Sequence, residues 1–477
     1  MISIDTLPNE VLLAIFDFYV GEDQISKKRI KAWRLLVHVC RRWRSIIFGS
    51  PVRLNLQLVG TPKTPVKDTL GVWPPVLPLV IDGVFPACLL AAAGLDNIIP
   101  LLEHSRRRMC QIFMDVSIPQ LEEVAAAMQV PFPELTNLQL SSYDDVVPSL
   151  RDLLLGGSAP RLRKLQLGGI PYPGLPGLLL SAPHLVELHL CDIPYSNISP
   201  EKMVNALSTL INLESLSIQF KIPEGGRRRP PPTTTRTVLP VLTHFRFKGF
   251  SEYLEDLVAR VDAPLLYALY VNLFDQIAFD TTKFTQFVGR TPKLKVFQKA
   301  RFNFDANAAW MDLSTTSGDS VLNVTVSCES CGELEMQLMS LEQVCTSSLP
   351  PLSTPEDVYV CEATDWQPDL DDDLEVEGFE NTQWPALLRP FIAMRNLYLT
   401  KDVAPRILLA LEETVICGTT VLPTLQNIFL EELELSGRIQ EAIGQFVDAR
   451  QVTSPPYNSF SLGAMEGFLG RQLGRRC

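Results

Sequence analysis

Positive charge is in short supply in this sequence. Its 477 residues include 42 Lys and Arg against 54 Asp and Glu, which gives a formal net charge of −12. A protein that binds mainly nucleic acid needs a basic footprint for the phosphates. The charge balance therefore argues against nucleic acid as the main partner. With 46% hydrophobic and 20% charged residues, the composition is that of a folded protein.

Long apolar runs are also lacking. The longest candidate, Leu89 to Leu102, is interrupted by Asp96 and Pro100, so no transmembrane helix is expected. Asp5 and Glu10 lie among the first apolar residues, which is unlike a signal peptide. The ten cysteines are scattered and form no dense disulfide framework. We expect an intracellular protein, cytoplasmic or nuclear, with reduced thiols and no membrane partner.

The sequence has no recognisable catalytic or cofactor motif. None of its five histidines lies in a nucleophile or metal motif, and it contains neither of the common glycine-rich phosphate loops. Cys328-Glu-Ser-Cys331 is a lone pair, whereas a structural zinc site needs about four ligands. Asp371 to Asp373 do not have the spacing of a calcium loop. We predict no catalytic residue, no metal and no cofactor, while an enzyme with a site on a repeat surface stays open as an alternative.

The N-terminus has the pattern of two short amphipathic helices. Pro8 suits the first position of a helix, and Glu10 suits its first turn, where the helix dipole favours negative charge. Gly21 would end this helix. The helical spacing i, i+3, i+4, i+7 places four apolar residues on one stripe, namely Leu12, Ile15, Phe16 and Tyr19.

The second predicted helix runs from about Ile30 to Phe48, and Gly49-Ser50-Pro51 would end it. Two helices of this length bury too little surface to be stable alone. They must therefore pack on the following domain or on another protein. The residues spaced 3, 4, 3 and 4 apart along the apolar face of this helix are Trp33, Leu36, Cys40, Trp43 and Ile47.

The two helices carry a recognisable pair of motifs. Leu-Pro-x-Glu-Val-Leu-x-x-Ile-Phe from Leu7, followed by Val-Cys-Arg-Arg-Trp-Arg from Val39, resembles the F-box of fungal-type F-box proteins over Ile4 to Pro51. The spacer from Val20 to Ala32 is longer than the compact family pattern. The resemblance implies binding to the Skp adaptor of cullin–RING ubiquitin ligases. Carried over by position, the residues that form or support the adaptor-binding surface are Leu7, Pro8, Leu12, Ile15, Phe16, Val39 and Trp43.

Two other interpretations of these helices stay open. They could simply cap the next domain. Lys27 to Arg44 also holds eight basic residues, and a basic amphipathic helix can contact a membrane or nucleic acid. Trp33 and Trp43 on the apolar face favour packing over such contact.

The rest of the chain is repetitive. The template Pro-x-Leu-x-x-Leu-x-Leu occurs at Pro133, Pro160 and Pro183, and the first core residues recur in steps of 23 to 29 at 135, 162, 185, 213, 242, 266 and 294. Further copies lie at Met394 and Pro423. The period is that of leucine-rich repeats, which these segments resemble. Each unit would form a short parallel strand and a return, and stacking would supply the core.

The repeats depart from the family at one position. Three residues after the last core residue, where the family usually has Asn or Cys, this chain has Tyr143, Ile170, Ile193, Lys221, Phe250 and Phe274. Most of these are apolar, so we expect hydrophobic packing to hold those turns.

These patterns predict an α/β fold: an N-terminal F-box-like helical module followed by an irregular leucine-rich-repeat solenoid with a parallel sheet on its concave face. Before the repeats we expect strands at Arg53–Leu58, Leu77–Ile81 and Arg108–Val116 and a helix at Leu89–Leu102. The predicted domains are 1–51 for the module, 52–130 for bridging elements, 131–440 for the solenoid with loops at 223–237 and 365–384, and 441–477 for a C-terminal tail.

The residue between the two inward-facing leucines of each repeat should face the concave surface. Any one of these residues could be no more than the solvated side of a sheet. Tyr and Arg are favoured anchors at interfaces, and as target-binding residues we predict Arg246, Tyr270, Gln298 and Tyr398. The full set is Gln139, Gln166, His189, Ser217, Arg246, Tyr270, Gln298, Tyr398 and Phe429.

The combined prediction is a non-enzymatic substrate receptor of a Skp–cullin–F-box ubiquitin ligase. The N-terminal helices would bind the Skp adaptor, and the solenoid would bind a target protein. The alternative is a protein-binding scaffold that acts without a ligase and whose N-terminal helices only cap the solenoid.

Overall fold

The structure is a computed structural model. It describes residues 4–20, 33–51, 53–54, 56–83, 95–142, 144, 149–150, 154–194, 198–221, 236–274, 280–305, 307–327, 334–346, 349–362, 383–401, 403–416, 422–430, 444–445 and 461–464. The chain divides into two compact units, Met1–Leu213 (unit 1) and Glu214–Cys477 (unit 2). This division falls inside the segment 131–440, and the four domain ranges above stay predictions. No helix among the described residues is long and apolar enough to cross a membrane.

Unit 1 contains a parallel sheet whose strands follow chain order. Leu138 and Leu140 are buried while Gln139 between them is half-buried, because successive side chains of a strand point to opposite faces. The strands are β1 Leu58–Gly60, β2 Leu79–Gly83, β3 Met109–Asp115, β4 Asn137–Ser141, β5 Lys164–Gly168 and β6 Glu187–Ile193. The helices are α1 Asn9–Val20, α2 Arg41–Gly49, α3 Val66–Leu70, α4 Ile99–His104, α5 Ile118–Ala127, α6 Leu175–Leu180 and α7 Pro200–Leu207.

Unit 2 contains parallel strands interrupted by an antiparallel insertion. The strand order is β7-β9-β11-β14-β13-β12-β15-β16-β17-β18, with β13 antiparallel to both neighbours, and β8 pairs separately with β10. The strands are β7 Ser215–Phe220, β8 Thr237–Val238, β9 His244–Gly249, β10 Val261–Asp262, β11 Ala268–Leu273, β12 Lys299–Phe304, β13 Ala308–Ser314, β14 Val321–Ser327, β15 Asp357–Glu362, β16 Asn396–Leu399, β17 Asn427–Leu430 and β18 Ser461–Ala464. The helices are α8 Ser251–Val258, α9 Thr282–Arg290, α10 Leu334–Thr346, α11 Gln383–Leu388 and α12 Ala404–Ile416.

Most repeat strands form where the leucine pattern predicts them, as β4, β5, β6, β7, β9, β11, β16 and β17 do. The repeat that begins at Pro292 is different. Pro292–Leu294 forms a 3-10 turn, and β12 begins only at Lys299, after the predicted strand core. The chain then adds β13 and β14 as an antiparallel meander that the repeat pattern does not predict. β15 lies between the recognised repeats, and β18 lies within the predicted C-terminal tail.

The bridging elements are partly as predicted. The strands predicted at Leu77–Ile81 and Arg108–Val116 form as β2 and β3. The strand predicted at Arg53–Leu58 is wrong: residues 53–54 form a turn, and β1 begins only at the last of the predicted residues. Of the predicted helix Leu89–Leu102, residues 89–94 lie outside the described part, 95–98 form a turn, and α4 begins at Ile99.

The apolar turn positions pack as expected. Ile170, Ile193, Phe250 and Phe274 are all buried, and the rings of Phe250 and Phe274 meet edge to face at 5.3 Å. Hydrophobic contacts therefore replace side-chain hydrogen bonding at these turns. The predicted loops 223–237 and 365–384 fall largely outside the described residues, although Thr237 belongs to β8 and Trp384 to α11.

The first N-terminal helix forms nearly as predicted and the second does not. The Pro8 carbonyl accepts from the Leu12 amide at 3.1 Å, so Pro8 lies one position before the first residue of α1. The single helix predicted for Ile30–Phe48 is wrong. Residues 33–36 are helical, 37–39 form a turn, and α2 begins after Cys40. Cys40 has extended backbone angles and its Sγ accepts from the Trp43 amide at 3.4 Å, which caps the new helix.

A half-buried carboxylate joins two helices of unit 2. Glu255 on α8 accepts hydrogen bonds at 2.7 Å from the backbone amides of Lys283 and Phe284 in the first turn of α9. Burial, aided by the nearby negative charge of Asp280, raises the pKa of Glu255 to about 7 from an ordinary 4.5. The raised pKa means that folding disfavours the ionised form of this side chain.

We therefore expect the Glu255 contribution to stability to be largest below pH 4.5 and to fall as pH rises through about 7. Glu255→Gln retains an acceptor oxygen but cannot ionise. In urea unfolding, the free energy of unfolding of this variant should rise relative to that of the wild type as pH increases through this window. Asp256→Asn, which removes a neighbouring carboxylate on α8, is the matched control. Parallel pH profiles for the wild type and Glu255→Gln would contradict this account.

Candidate functional site

The N-terminal helices share a small apolar core. Leu12, Leu13 and Phe16 of α1 are buried, and the Phe16 ring lies 4.8 Å from the ring of Trp43 on α2. The Arg42 guanidinium donates to the Leu7 carbonyl and, at 3.0 Å, to Oδ1 of Asn9. These contacts fix the beginning of α1 against α2.

The opposite face of α1 is apolar and exposed. Val11, Ile15, Phe18 and Tyr19 all face solvent, and Phe18 is 91% exposed. The single stripe predicted from Leu12, Ile15, Phe16 and Tyr19 is therefore wrong, because the helix buries Leu12 and Phe16 and exposes the other two. We call Val11, Ile15, Phe18 and Tyr19 the α1 apolar face.

An aromatic cluster attaches the N-terminal helices to the next segment of unit 1. The Trp33 ring meets Trp73 edge to face at 5.2 Å and Phe48 at 6.4 Å. The Arg34 guanidinium lies 5.3 Å from the Trp73 ring centre. The helices therefore pack on the following segment through Trp33, while Leu35 and Val39 stay 63% and 59% exposed.

The structure separates the residues predicted for adaptor binding by their burial. Leu12 and Phe16 belong to the core, Leu7 and Trp43 are half-buried, and Pro8, Ile15 and Val39 are exposed. The prediction did not include four exposed residues, which are Val11, Phe18, Tyr19 and Leu35. The sequence does contain a pattern that could have identified the three residues of α1. Apolar residues at 11, 15, 18 and 19 follow the spacing i, i+4, i+7, i+8, which makes a second helical face.

A second candidate surface lies on the sheet of unit 2. Strand register places one row of side chains on the face opposite the apolar core residues of these strands, which we call the open face of unit 2. The predicted residues Arg246, Tyr270 and Tyr398 are in this row. From β7 to β17 its members are Ser217, Arg246, Tyr270, Asn323, Asp312, Arg301, Tyr359, Tyr398 and Phe429.

Gln298 is not in this row, which corrects one predicted target residue. It precedes β12, and its Oε1 accepts from the Thr316 amide at 3.1 Å in a neighbouring turn. Because the strand begins later than the leucine pattern indicates, Arg301 takes the position in the row. Tyr359 was missed because its strand, β15, matches no copy of the repeat template.

Aromatic rings stack along one end of the row. Tyr359 and Tyr398 are 4.3 Å apart with an interplanar angle of 8°, and Tyr398 and Phe429 are 4.6 Å apart at 10°. The Arg301 guanidinium lies 5.5 Å from the Tyr359 ring centre. Burial raises the pKa of both tyrosines, so their hydroxyls stay protonated. At the other end, Arg246 lies 5.2 Å from the ring centre of Tyr270.

A hydrogen-bonded ladder runs beside the stacked rings. Asn427 donates to Oδ1 of Asn396, and Asn396 donates to Oδ1 of Asp357, both at 2.7 Å. Adjacent strands therefore present an ordered polar and aromatic surface. In unit 1, the corresponding predicted residues Gln139, Gln166 and His189 also lie side by side in register.

The described residues supply no obvious metal chemistry. They contain no group of three or more His, Cys, Asp and Glu side chains arranged to hold a metal ion. Cys328 and Cys331 lie outside the described part of the chain.

Comparison with known proteins identifies the N-terminal region. Residues 4–52 match the F-box-like family. This range agrees with the predicted Ile4 to Pro51. Together with the parallel α/β architecture that follows, the F-box-like region suggests a protein-binding role. The predicted fold class is confirmed, namely F-box-like helices followed by an α/β region rich in parallel strands.

One solved structure that the comparison matches to this chain is that of the leucine-rich repeat-containing protein LegL7 from Legionella pneumophila. The match has 13% sequence identity and a TM-score of 0.27, and it covers 84% of this chain and 98% of that one. No curated protein matches the chain.

Phe16 and Phe18 form a natural test pair on α1. Phe16→Ala removes a fully buried ring and should lower the free energy of unfolding of the N-terminal region by about 3 kcal/mol. Phe18→Ala removes an exposed ring and should change it by less than about 0.5 kcal/mol. Limited proteolysis under native conditions measures both. Equal destabilisation would show that Phe18 is covered within the chain.

Proposed function

We propose that the protein is a substrate-receptor subunit of a Skp–cullin–F-box ubiquitin ligase that works inside the cell, in the cytoplasm or nucleus. The α1 apolar face, with the exposed Leu35 and Val39, binds the Skp adaptor. The open face of unit 2 binds the target protein. Assignment to the fungal type of F-box protein stays a prediction.

The observation that carries this proposal is the exposed apolar face of a helix within the F-box-like region. Water-exposed contiguous apolar surface in a folded protein marks an interaction site. The helix already buries Leu12 and Phe16, and Phe16 contacts Trp43 of α2. Its second apolar face is therefore not needed to pack the two helices together. An adaptor that covers Phe18 and Ile15 accounts for this exposed face.

In this role the protein needs no catalytic group. A receptor holds target and ligase in one complex, which raises the effective concentration of target lysines near the loaded conjugating enzyme. The contribution of the chain is binding and positioning.

The alternative is a protein-binding scaffold that acts without a ligase. The contact between Trp33 and Trp73 favours it, because this contact shows the N-terminal helices packing on the rest of unit 1. Packing through Trp33 nevertheless leaves the α1 apolar face exposed. The two functions therefore differ in whether this face binds an adaptor.

Co-purification of the full chain with a Skp adaptor tests the proposal. Ile15→Asp combined with Phe18→Asp places two charges on the α1 apolar face and should reduce adaptor retention by at least about 100-fold, since each charge would be desolvated in the complex. Leu12 is unsuitable for this test because it is buried and its substitution would unfold the helices. Asp17→Lys, which changes the charge at an exposed position of the same helix outside this face, is the matched control.

The control variant should retain the adaptor, and circular dichroism should show that all variants keep their helices. If the wild-type chain fails to retain any adaptor, the receptor function is wrong and the scaffold remains. If the wild type and the double variant retain the adaptor equally, the placement of the adaptor site on the α1 apolar face is wrong.

A further inference from the structure

The open face of unit 2 carries a group of basic side chains. Arg246 and Lys248 lie on β9, and Lys299 and Arg301 lie on β12. Register and alternation place all four on the same face, and the residues between them are buried on the other side of the sheet. Those intervening residues are Phe247 on β9 and Ala300 on β12.

Three of these four cations lie over aromatic rings, and none of the four forms an ion pair with a described carboxylate. Among the described residues, no carboxylate oxygen lies within 4.0 Å of any of the four. Instead Arg246 lies over Tyr270 at 5.2 Å, Lys248 over Phe274 at 5.7 Å and Arg301 over Tyr359 at 5.5 Å. Such contacts orient a cation without neutralising it.

Two carboxylates lie on the same face. Asp312 accepts from the side-chain amide of Asn323 at 2.6 Å, and Asp357 accepts from Asn396 at 2.7 Å. The open face of unit 1 differs, because its Lys164 pairs with Glu187 at 2.6 Å. The four cations of unit 2 therefore outnumber these two carboxylates on one face of a protein whose net charge is −12, and such a local excess of positive charge attracts anionic groups.

We propose that the open face of unit 2 binds an acidic segment of the target protein, with Arg246 and Arg301 as its two anchoring cations. A guanidinium that lies over a ring and forms no ion pair has N–H groups left for bidentate bonds to a carboxylate or phosphate. The Tyr398 hydroxyl, which accepts a hydrogen bond from Tyr359, adds a neutral donor in the same row. The inference rests on the proposed receptor function for the identity of the ligand as a target, although the binding itself does not depend on the adaptor.

The strand order sets the spacing of the anionic groups. Between Arg246 on β9 and Arg301 on β12 lie β11, β14 and β13, which is four strand spacings, or about 19 Å. An extended peptide spans that distance in about six residues. The preferred segment therefore carries acidic side chains about six residues apart and crosses the strands.

Fluorescence anisotropy on the full chain, without adaptor, tests the proposal. The probes are labelled eight-residue Ser/Gly peptides with Glu at the first and seventh positions, the same peptide with phosphoserine there, and the same with Gln. The Glu and phosphoserine arms distinguish carboxylate from phosphate as the anion source. Binding to at least one of them, with no binding to the Gln peptide, is expected, and it should weaken as salt rises.

The variant Arg246→Gln with Arg301→Gln should weaken binding of the anionic peptide by at least about tenfold. Arg395→Gln removes an arginine of unit 2 that pairs with Glu356 at 3.7 Å, and this matched control should bind as the wild type does. Equal affinity of the double variant and the wild type would overturn the proposal. No binding of either anionic peptide up to about 1 mM would do so too.

Two further results would assign the face to another occupant and so overturn the proposal. One is tighter binding of a single-stranded oligothymidylate than of either peptide. The other is peptide binding only after the acidic residues between Asp365 and Glu380 are replaced by Asn and Gln, which would place that segment of the chain itself on the face. Because the assay contains no adaptor, its failure is distinct from a failure of adaptor binding.

Discussion

The short strands of this protein bury one face more deeply than the other. In β16 and β17, Leu397, Leu399 and Ile428 are fully buried while Tyr398 between the two leucines stays half-buried on the other side. Burial of one face under the helices supplies the core. It also leaves much of the second face available for polar and aromatic residues. The open face of unit 2, with its stacked tyrosines and unpaired arginines, is a consequence of this constraint.

The N-terminal helices obey a different constraint, since α1 is apolar on two sides and packs against other described residues on only one. Phe16 packs on Trp43, whereas Phe18, two residues later, is 91% exposed. Trp33 and Trp73 join the helices to the rest of unit 1 without covering that surface. The module is thus attached through one set of aromatics and leaves another set exposed, which is the arrangement required of a link between two proteins.

The sequence predicts those parts of the structure that repeat or alternate. Leu165 and Leu167 mark β5 because their spacing recurs in its neighbours and both are buried. The placement of Gln298 fails because β12 begins only at Lys299, one residue after it. The antiparallel pairing of β13 and β14 depends on long-range contacts that no repeat encodes. The prediction of a single second helix fails at Cys40. The apolar spacing continues past this residue, but Cys40 caps the start of α2 and so divides the predicted helix in two. The position of α2 decides which of its two apolar faces α1 buries. The helical period alone therefore could not predict that Phe16 is buried and Ile15 is exposed.

The central claim is that one surface of the protein binds an adaptor and another holds a target. Hydrogen–deuterium exchange on the full chain, with and without a saturating Skp adaptor, tests it most directly. The account predicts slower exchange in residues 9–20 and 33–50 and unchanged exchange in the strands of unit 2. Unchanged exchange in α1, or protection confined to the strands of unit 2, would contradict it.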